Sequence, residues 1–310
     1  MTDRPPADAG SMSNLCAIAR ALGIAYGDDA PPSEGFLQSN GLRMHWLDWG
    51  GADRPTVLFL HGAALTAHTW DLVCLALRGQ YRCVALDQRG HGLTDGAHAF
   101  GVEEPRADLR GAIQALGLRR FAIVGMSMGG NNAIAYAGAH PEGLAGVVFV
   151  DVCPTVLPTG YQDSVEHDAA IACARTFEGA VEAAHRHNPR GSREYKRYTL
   201  SFSLEKFADG CWHMRYERER PPPRSEAETA AWMAQRRATL WSLVPRIACP
   251  ALVVHGGDSR AQSRENLEEF RRRLPDARLV QVPGASHDVQ EDQPAALTAE
   301  LRAFLGALAF

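Results

Sequence analysis

From residue 36 onward, short apolar runs alternate along the chain with segments that carry helical periodicity. Six of the runs have the length and composition of β-strands: residues 56–60, 82–86, 121–124, 146–150, 251–254 and 278–282. Helices are predicted between and after them, near residues 68–77, 103–116, 128–139, 263–274 and 294–309. Apolar strands that alternate with helices are typical of a mainly parallel sheet covered on both faces. The pattern therefore predicts an α/β fold.

Three other segments depart from this alternation. Residues 35–38 and 42–49 predict a β-hairpin that turns at Ser39-Asn40-Gly41. Residues 1–34 are rich in Pro, Ala, Asp and Gly, and we predict an N-terminal extension that is disordered in part, with a short helix at 15–25. Residues 152–245 are helical, aromatic and charged, with prolines at 221–223. They predict a helical cap, or lid, inserted after the sixth strand into a core of residues 35–151 and 246–310.

Composition narrows the class of protein. The chain has 310 residues, of which 45% are hydrophobic, so it can bury a large core. Its seven cysteines are odd in number and scattered, which favours reduced thiols over disulfides, and no pair has metal-ligand spacing. The N-terminus lacks a basic segment followed by an apolar one, and no apolar stretch approaches the length of a membrane span. We expect a cytoplasmic protein with no membrane partner.

Charge adds one further exclusion. The net charge is -4, and the arginines are interleaved with acidic residues almost everywhere. A nucleic-acid partner is therefore not expected, because such proteins concentrate positive charge on one surface.

Ser127 lies in a sequence that indicates hydrolytic chemistry. It is the central residue of Gly125-Met126-Ser127-Met128-Gly129, between an apolar run and a helix-compatible run. This Gly-x-Ser-x-Gly pattern is a nucleophile elbow when it connects a strand to a helix. The turn places the serine in a strained conformation and brings strand and helix close together, which requires small residues on both sides. Ser127 is the predicted nucleophile.

A serine nucleophile needs a base and donors for the oxyanion. His287 is the predicted base, because it lies in a glycine-containing loop between the last strand and the last helix. The amide of Met128, next to the nucleophile, should be one oxyanion donor, and the amide of Ala63, after the third strand, should be the other. His61 is expected to support the Ala63 loop, and Asp87 and Arg89 to hold a rigid loop without chemistry of their own.

These motifs together resemble the α/β-hydrolase fold family. They are His61-Gly62, Asp87-x-Arg89-Gly90-His91-Gly92, Gly125-x-Ser127-x-Gly129 and Gly284-x-x-His287. The resemblance covers residues 36–310 and is closest to the capped serine hydrolases, which include esterases, lactonases and carbon-carbon bond hydrolases. It is specific for fold and only weakly specific for substrate.

The resemblance leaves two candidates for the triad acid. In much of the family the acid follows the strand after the cap, where Asp258 lies, although Ser259 occupies the aligned position. In other branches the acid ends the strand after the nucleophile helix, where Asp151 lies. A buried aspartate without a partner costs several kcal/mol, and Asp151 ends a fully apolar strand. Asp151 is therefore favoured, with Asp258 as the alternative.

The predicted function is that of a metal-independent serine hydrolase that needs no cofactor and cleaves a small-molecule carboxylic ester or related acyl bond through an acyl-enzyme. A small molecule with a carbonyl group is the expected partner. Three alternatives stay open: a carbon-carbon bond hydrolase acting on a ring-cleavage product, a lactonase or amidase, and a non-catalytic relative that binds a ligand under its cap.

Overall fold

A computed structural model gives the fold of this chain. It describes residues 4–97, 99–139, 141–172, 174–216, 225–274 and 276–310, without the side chains of 161, 163 and 164. The prolines predicted to interrupt the cap, at 221–223, lie outside the described residues.

An eight-stranded sheet forms the centre of the molecule, in the order β1-β2-β4-β3-β5-β6-β9-β10. Its strands are β1 (Ser33–Ser39), β2 (Leu42–Asp48), β3 (Thr56–Leu60), β4 (Arg82–Leu86), β5 (Phe121–Met126), β6 (Leu144–Val150), β9 (Ala251–Gly256) and β10 (Arg278–Val282). The predicted hairpin is present as β1 and β2, which are antiparallel, and β2 pairs antiparallel with β4. All other neighbours are parallel.

Helices cover both faces of this sheet. Those of the core are α2 (Asp71–Leu77), α3 (Glu103–Ala115), α4 (Met128–Ala137), α9 (Arg264–Arg272), α10 (Val289–Asp292) and α11 (Pro294–Leu305). A 3₁₀ turn at Ala67–Trp70 precedes α2. Alternate residues of the central strands enter two separate apolar clusters: Phe59 belongs to one cluster, whereas Leu58 and Leu60 belong to the other. Burial on both faces explains why these strands are apolar throughout.

The N-terminal segment is more ordered than its composition indicates. Residues Met12–Ala21 form helix α1, whose first turn is capped by the Ser11 hydroxyl, an acceptor for the amide of Asn14 at 3.2 Å. Leu15, Ile18 and Ala19 lie on one face of α1 and are buried in the core. The short helix predicted at 15–25 thus has its counterpart in α1, whose i, i+3 and i+4 apolar spacing gives it a buried face.

The chain between β6 and β9 is mainly helical. It contains α5 (Pro158–Ala172), α6 (Phe177–His187), α7 (Arg193–Ser203), the short strands β7 (Leu204–Lys206) and β8 (Trp212–Met214), and α8 (Glu226–Leu243). An apolar cluster of its own, which includes Phe177, Leu200 and Trp212, joins α5, α6, α7, β7 and β8, whereas Leu240 and Leu243 of α8 belong to a cluster of the core. The first of these clusters also takes in Ala9 from the N-terminus, and Ala64 from the loop after β3 packs against it.

Candidate active site

Ser127 occupies the sharp turn between β5 and α4. Its backbone has φ 50° and ψ −113°, in a region that side chains other than glycine rarely adopt. A Cβ added to Gly125 would lie 2.6 Å from the carbonyl oxygen of Gly129, and one added to Gly129 would lie 2.3 Å from that of Leu60. Both flanking glycines are therefore required by close backbone approach, as the elbow pattern predicts.

His287 lies within hydrogen-bond distance of Ser127. Its Nε2 is 2.9 Å from Ser127 Oγ, and its Nδ1 is 2.7 Å from Asp151 Oδ2. An ionised carboxylate only accepts hydrogen bonds, so Nδ1 carries the proton and Nε2 is left to accept the serine proton. The imidazole is partly open to solvent, with 26% of its side chain exposed. The three side chains form a continuous hydrogen-bonded chain.

Asp151 is completely buried at the end of β6. Its φ of 47° turns the backbone away from the strand direction, and its amide still donates to the carbonyl of Val254 at 2.7 Å. Besides the imidazole, the carboxylate accepts from the Gly256 amide (3.0 Å, to Oδ1) and from the Ser259 hydroxyl (2.5 Å, to Oδ2). Three donors thus compensate a charge that would be unfavourable in this apolar setting.

Asp258 lies in a different environment from Asp151. Its side chain is 48% exposed, and its Oδ2 is 3.1 Å from Nε of Arg190. Its amide donates to the carbonyl of Ala285 at 2.8 Å. Of the two candidate acids, the structure brings Asp151 to the imidazole and pairs Asp258 with an arginine at the surface.

Of the two candidate oxyanion donors, Met128 directly follows Ser127, and Ala63 lies in the loop after β3. Met128 is the first residue of α4, and amides in the first turn of a helix have no acceptor within the helix. Ala63 lies exposed in the loop after β3, next to Ala64, whose φ is 64°. The amide of Gly129 donates to the carbonyl of His61 at 3.1 Å, which joins this loop to the start of α4. The positive end of the helix dipole also faces this side of the turn.

A buried network under the Ala63 loop involves His61. Its Nε2 accepts from the amide of Gln88 at 3.0 Å, so its Nδ1 donates to the carbonyl of Gly62 at 2.7 Å. Burial lowers the pKa of His61, which keeps the ring neutral. The Gln88 side chain donates to the carbonyl of His61 and accepts from Asn132 on α4, at 2.6 and 2.8 Å. His61 thus supports the loop, as expected from the sequence.

Asp87 and Arg89 hold the loop after β4. Burial alone would raise the pKa of Asp87, but the hydrogen bond with His45 Nδ1 at 2.8 Å, the charge interaction with His45 and the amide donor Ala67 act together against burial and lower that pKa to about 2. Amides of Ala67 and Leu93 also donate to this carboxylate. Arg89 forms a buried two-point ion pair with Asp108, at 2.6 and 3.0 Å. Both residues are structural in this arrangement.

Comparison with known proteins identifies the family. A family model described as the alpha/beta hydrolase fold matches residues 55–294, well over half of the chain. The chain belongs to the α/β-hydrolase family. An esterase of Mycobacterium tuberculosis is 28% identical over 266 residues, which are 84% of this chain and 85% of that protein. A 3-hydroxybutyrate-oligomer hydrolase of Cupriavidus necator is 28% identical over 294 residues, 90% of this chain and 99% of that protein.

A solved structure has the same fold. The crystal structure of E-2-(acetamidomethylene)succinate hydrolase superposes with a TM-score of 0.74 at 23% identity, covering 89% of this chain and all of that chain. The predicted fold class, an α/β-hydrolase sheet with flanking helices, is confirmed, and the chain is an enzyme of the α/β-hydrolase type.

One residue of this α/β-hydrolase site was not assigned a role from its sequence. Ser259 was noted only for its alignment, yet its hydroxyl reaches Asp151. The Ser259 hydroxyl donates in this bond, because an ionised carboxylate can only accept, and Ser259 Oγ in turn accepts from the amide of Ala261 at 3.1 Å. A hydroxyl three residues after the end of a strand has no distinctive sequence pattern, and only the partner across the sheet reveals its contact.

The described residues offer neither a membrane-spanning helix nor a metal site. None of the helices there is both long and apolar enough to cross a membrane. Within the same part of the chain, no group of three or more His, Cys, Asp or Glu side chains is arranged to hold a metal ion.

Proposed function

We propose that this protein is a serine hydrolase that cleaves a small-molecule carboxylic ester through a covalent acyl-enzyme. One observation carries the proposal: Ser127 Oγ, His287 and the buried Asp151 are joined by hydrogen bonds of 2.9 and 2.7 Å. This is the arrangement in which a base can take the serine proton while a carboxylate orients the base. The similarity to an esterase and to an oligomer hydrolase supports an ester as the bond that is cleaved.

The proposed reaction has two half-reactions. Ser127 Oγ attacks the ester carbonyl as its proton passes to His287 Nε2, and the amides of Met128 and Ala63 donate to the resulting oxyanion. The C–O bond then breaks, and His287 gives its proton to the departing alkoxide, which leaves as an alcohol. Water enters, loses a proton to His287 and attacks the acyl carbon, so that the acid is released and Ser127 is reprotonated. Asp151 keeps Nδ1 protonated throughout. Every catalytic group in this scheme is a residue of the chain, so the proposal includes no metal or cofactor.

We also propose that residues 152–245 act as a cap that encloses the acyl group. The segment leaves the core directly after Asp151, at the carboxyl end of β6, and returns through α8 to the amino end of the parallel strand β9. Its apolar cluster packs against Ala64, one residue from the proposed oxyanion donor Ala63. Ligands of open α/β sheets bind at the carboxyl ends of the strands, so the cap lies where it can select the substrate.

Labelling and kinetics test the proposal together. A fluorophosphonate probe should label the wild-type protein at Ser127, and Ser127→Ala should abolish both labelling and turnover of p-nitrophenyl esters. Asp151→Asn should lower kcat on the order of ten-thousandfold. The matched variant Asp258→Asn removes a half-exposed carboxylate that pairs with Arg190 in the described structure, and its kcat should stay close to that of the wild type. Equal losses in the two variants would contradict the assignment of Asp151.

The same experiments separate the other functions. A carbon-carbon bond hydrolase would turn over ring-cleavage products faster than simple esters, and a lactonase or amidase would prefer cyclic esters or amides. A non-catalytic ligand-binding relative would leave Ser127 unlabelled, and that outcome would refute the proposal.

A further inference from the structure

Three pieces of chain meet directly beside the base. They are the segment Asn188–Gly191, which connects α6 to α7, the loop that carries Ser286 and His287, and helix α10. None of the contacts among them includes a reacting atom. They determine instead where the loop with the imidazole lies.

The loop is fixed first from within the core. Asp292, at the end of α10, accepts from the amide of Ser286 at 2.7 Å and from the Ser286 hydroxyl at 2.5 Å, both through Oδ2. Ser286 is the residue immediately before His287. Hydrogen bonds to a charged acceptor are about twice as strong as neutral ones, so this pair restrains the backbone from which the imidazole extends.

Asn188 adds a second attachment from outside the core. Its Nδ2 donates to Asp292 Oδ1 at 2.9 Å and to Ser286 Oγ at 3.1 Å, while its Oδ1 accepts from the amide of Arg190 at 3.3 Å. Both ends of the amide therefore have partners of the correct kind, which fixes its orientation. Asn188 is 9% exposed, so water competes little for these bonds.

The neighbours of Asn188 strengthen the same contact. A Cβ at Gly191 would lie 3.0 Å from the carbonyl oxygen of Glu291 and 3.2 Å from Asp292 Oδ1, so the backbone approaches α10 closely at a glycine. Arg190 Nε is 3.1 Å from Asp258 Oδ2, in the loop after β9. The segment 188–191 is thus attached to the loop that carries His287, to α10 and to the loop after β9.

We infer that Asn188 is a positioning residue for catalysis: by bonding Ser286 and Asp292 together, it holds His287 Nε2 within reach of Ser127 Oγ. The inference rests on the proposed function. It has a consequence for the enzyme as a whole, because Asn188 belongs to the segment between β6 and β9. The placement of the base then depends on the docking of the proposed cap, so that the base is correctly placed only when the cap is closed at this point.

Asn188→Ala tests the inference, with Asn14→Ala as the matched control. Like Asn188, Asn14 donates through its side-chain amide, in this case from Nδ2 to the carbonyl of Ala9 at 2.8 Å. It lies on α1, however, and touches neither Ser286 nor Asp292. A small displacement of a catalytic group can lower the rate up to about a hundredfold. We expect kcat for p-nitrophenyl acetate and the rate of fluorophosphonate labelling to fall together, between about 10- and 100-fold, in Asn188→Ala. KM should change less than about threefold, and Asn14→Ala should keep the wild-type kcat.

A second variant guards against a purely structural effect. Asn188→Asp keeps the size and the acceptor for Arg190, but it replaces the donor with a carboxylate that faces Asp292. Its kcat at neutral pH should be as low as that of Asn188→Ala, measured below the unfolding transition of each variant. If either variant keeps the wild-type kcat, or if only the unfolding temperature falls, the inference is wrong. A wild-type protein without ester turnover or labelling would instead refute the proposed function.

Discussion

Replacement of Ser259 by alanine should lower turnover without removing any group that reacts. Ser259 Oγ donates to Asp151 Oδ2 over 2.5 Å, and this carboxylate is completely buried. A hydrogen bond to a charged group contributes about 1.5–3 kcal/mol, and 1.4 kcal/mol corresponds to about tenfold in rate. Because Asp151 retains the donors Gly256 and His287, we expect the lower end of this range, a decrease of about tenfold in kcat.

The pH profile distinguishes this effect from a general loss of structure. Without the Ser259 donor, the charge of Asp151 interacts more strongly with His287, which favours the imidazolium form. The neutral imidazole, which is the form that acts as a base, then predominates only at higher pH. The acidic limb of kcat/KM should therefore move to higher pH in Ser259→Ala.

Measurement of kcat/KM for a p-nitrophenyl ester between about pH 5 and 9 would show this shift. Ser263→Ala is the control, because Ser263 Oγ caps α9, accepting from the amide of Asn266 at 3.1 Å, and has no described bond to Asp151 or His287. It should reduce the free energy of unfolding by about 1 kcal/mol and leave the pH profile unchanged. A profile of Ser259→Ala that coincides with that of the wild type, at an undiminished kcat, would refute the reasoning.

Three more predictions concern the frame of the site. Gly129→Ala places a Cβ 2.3 Å from the carbonyl oxygen of Leu60. Thermal unfolding should therefore show a lower Tm, and fluorophosphonate labelling of Ser127 should be lost. A Tm equal to that of the wild type would contradict the close approach of Gly129 to Leu60. Arg89→Ala leaves the buried Asp108 without its arginine partner and should lower the free energy of unfolding in urea by about 3–5 kcal/mol. Replacing Arg89 and Asp108 together by apolar residues should lower it far less. Burial raises the pKa of Glu291 to about 7 from 4.5. The unfolded chain loses this proton first, so wild-type stability should fall as the pH rises from about 4.5 to about 7, and in Glu291→Gln this decrease should be smaller. Parallel stability curves for the two proteins would contradict the reading of Glu291.

Much of this fold is predictable because strands buried on both faces are uniformly apolar. The strands at 56–60 and 82–86 begin and end where the pattern places them, and so does the partly exposed edge strand at 278–282. The turn at Ser127 is also predictable, because Gly125 and Gly129 lie so close to neighbouring backbone that a side chain at either position would clash.

Other parts depend on contacts between distant residues. Asp151 and Asp258 both follow strands, and only the fold shows that one meets the imidazole while the other pairs with Arg190. The composition of the N-terminal segment does not show that α1 is part of the core, because its few apolar residues are buried only by contact with distant parts of the chain. The contact of Asn188 with the His287 loop joins residues about a hundred positions apart, and no local pattern records it.

The positive φ angles of Ser127 and Asp151 lower the stability of the fold at two residues that the proposed reaction needs. These residues end adjacent strands with φ of 50° and 47°, and each such conformation costs on the order of 1–3 kcal/mol in a residue with a side chain. Glycine at either position would relieve that strain and yield a sturdier but inert protein. Under the proposed function, selection for thermal stability alone would therefore act against the two residues that the reaction needs.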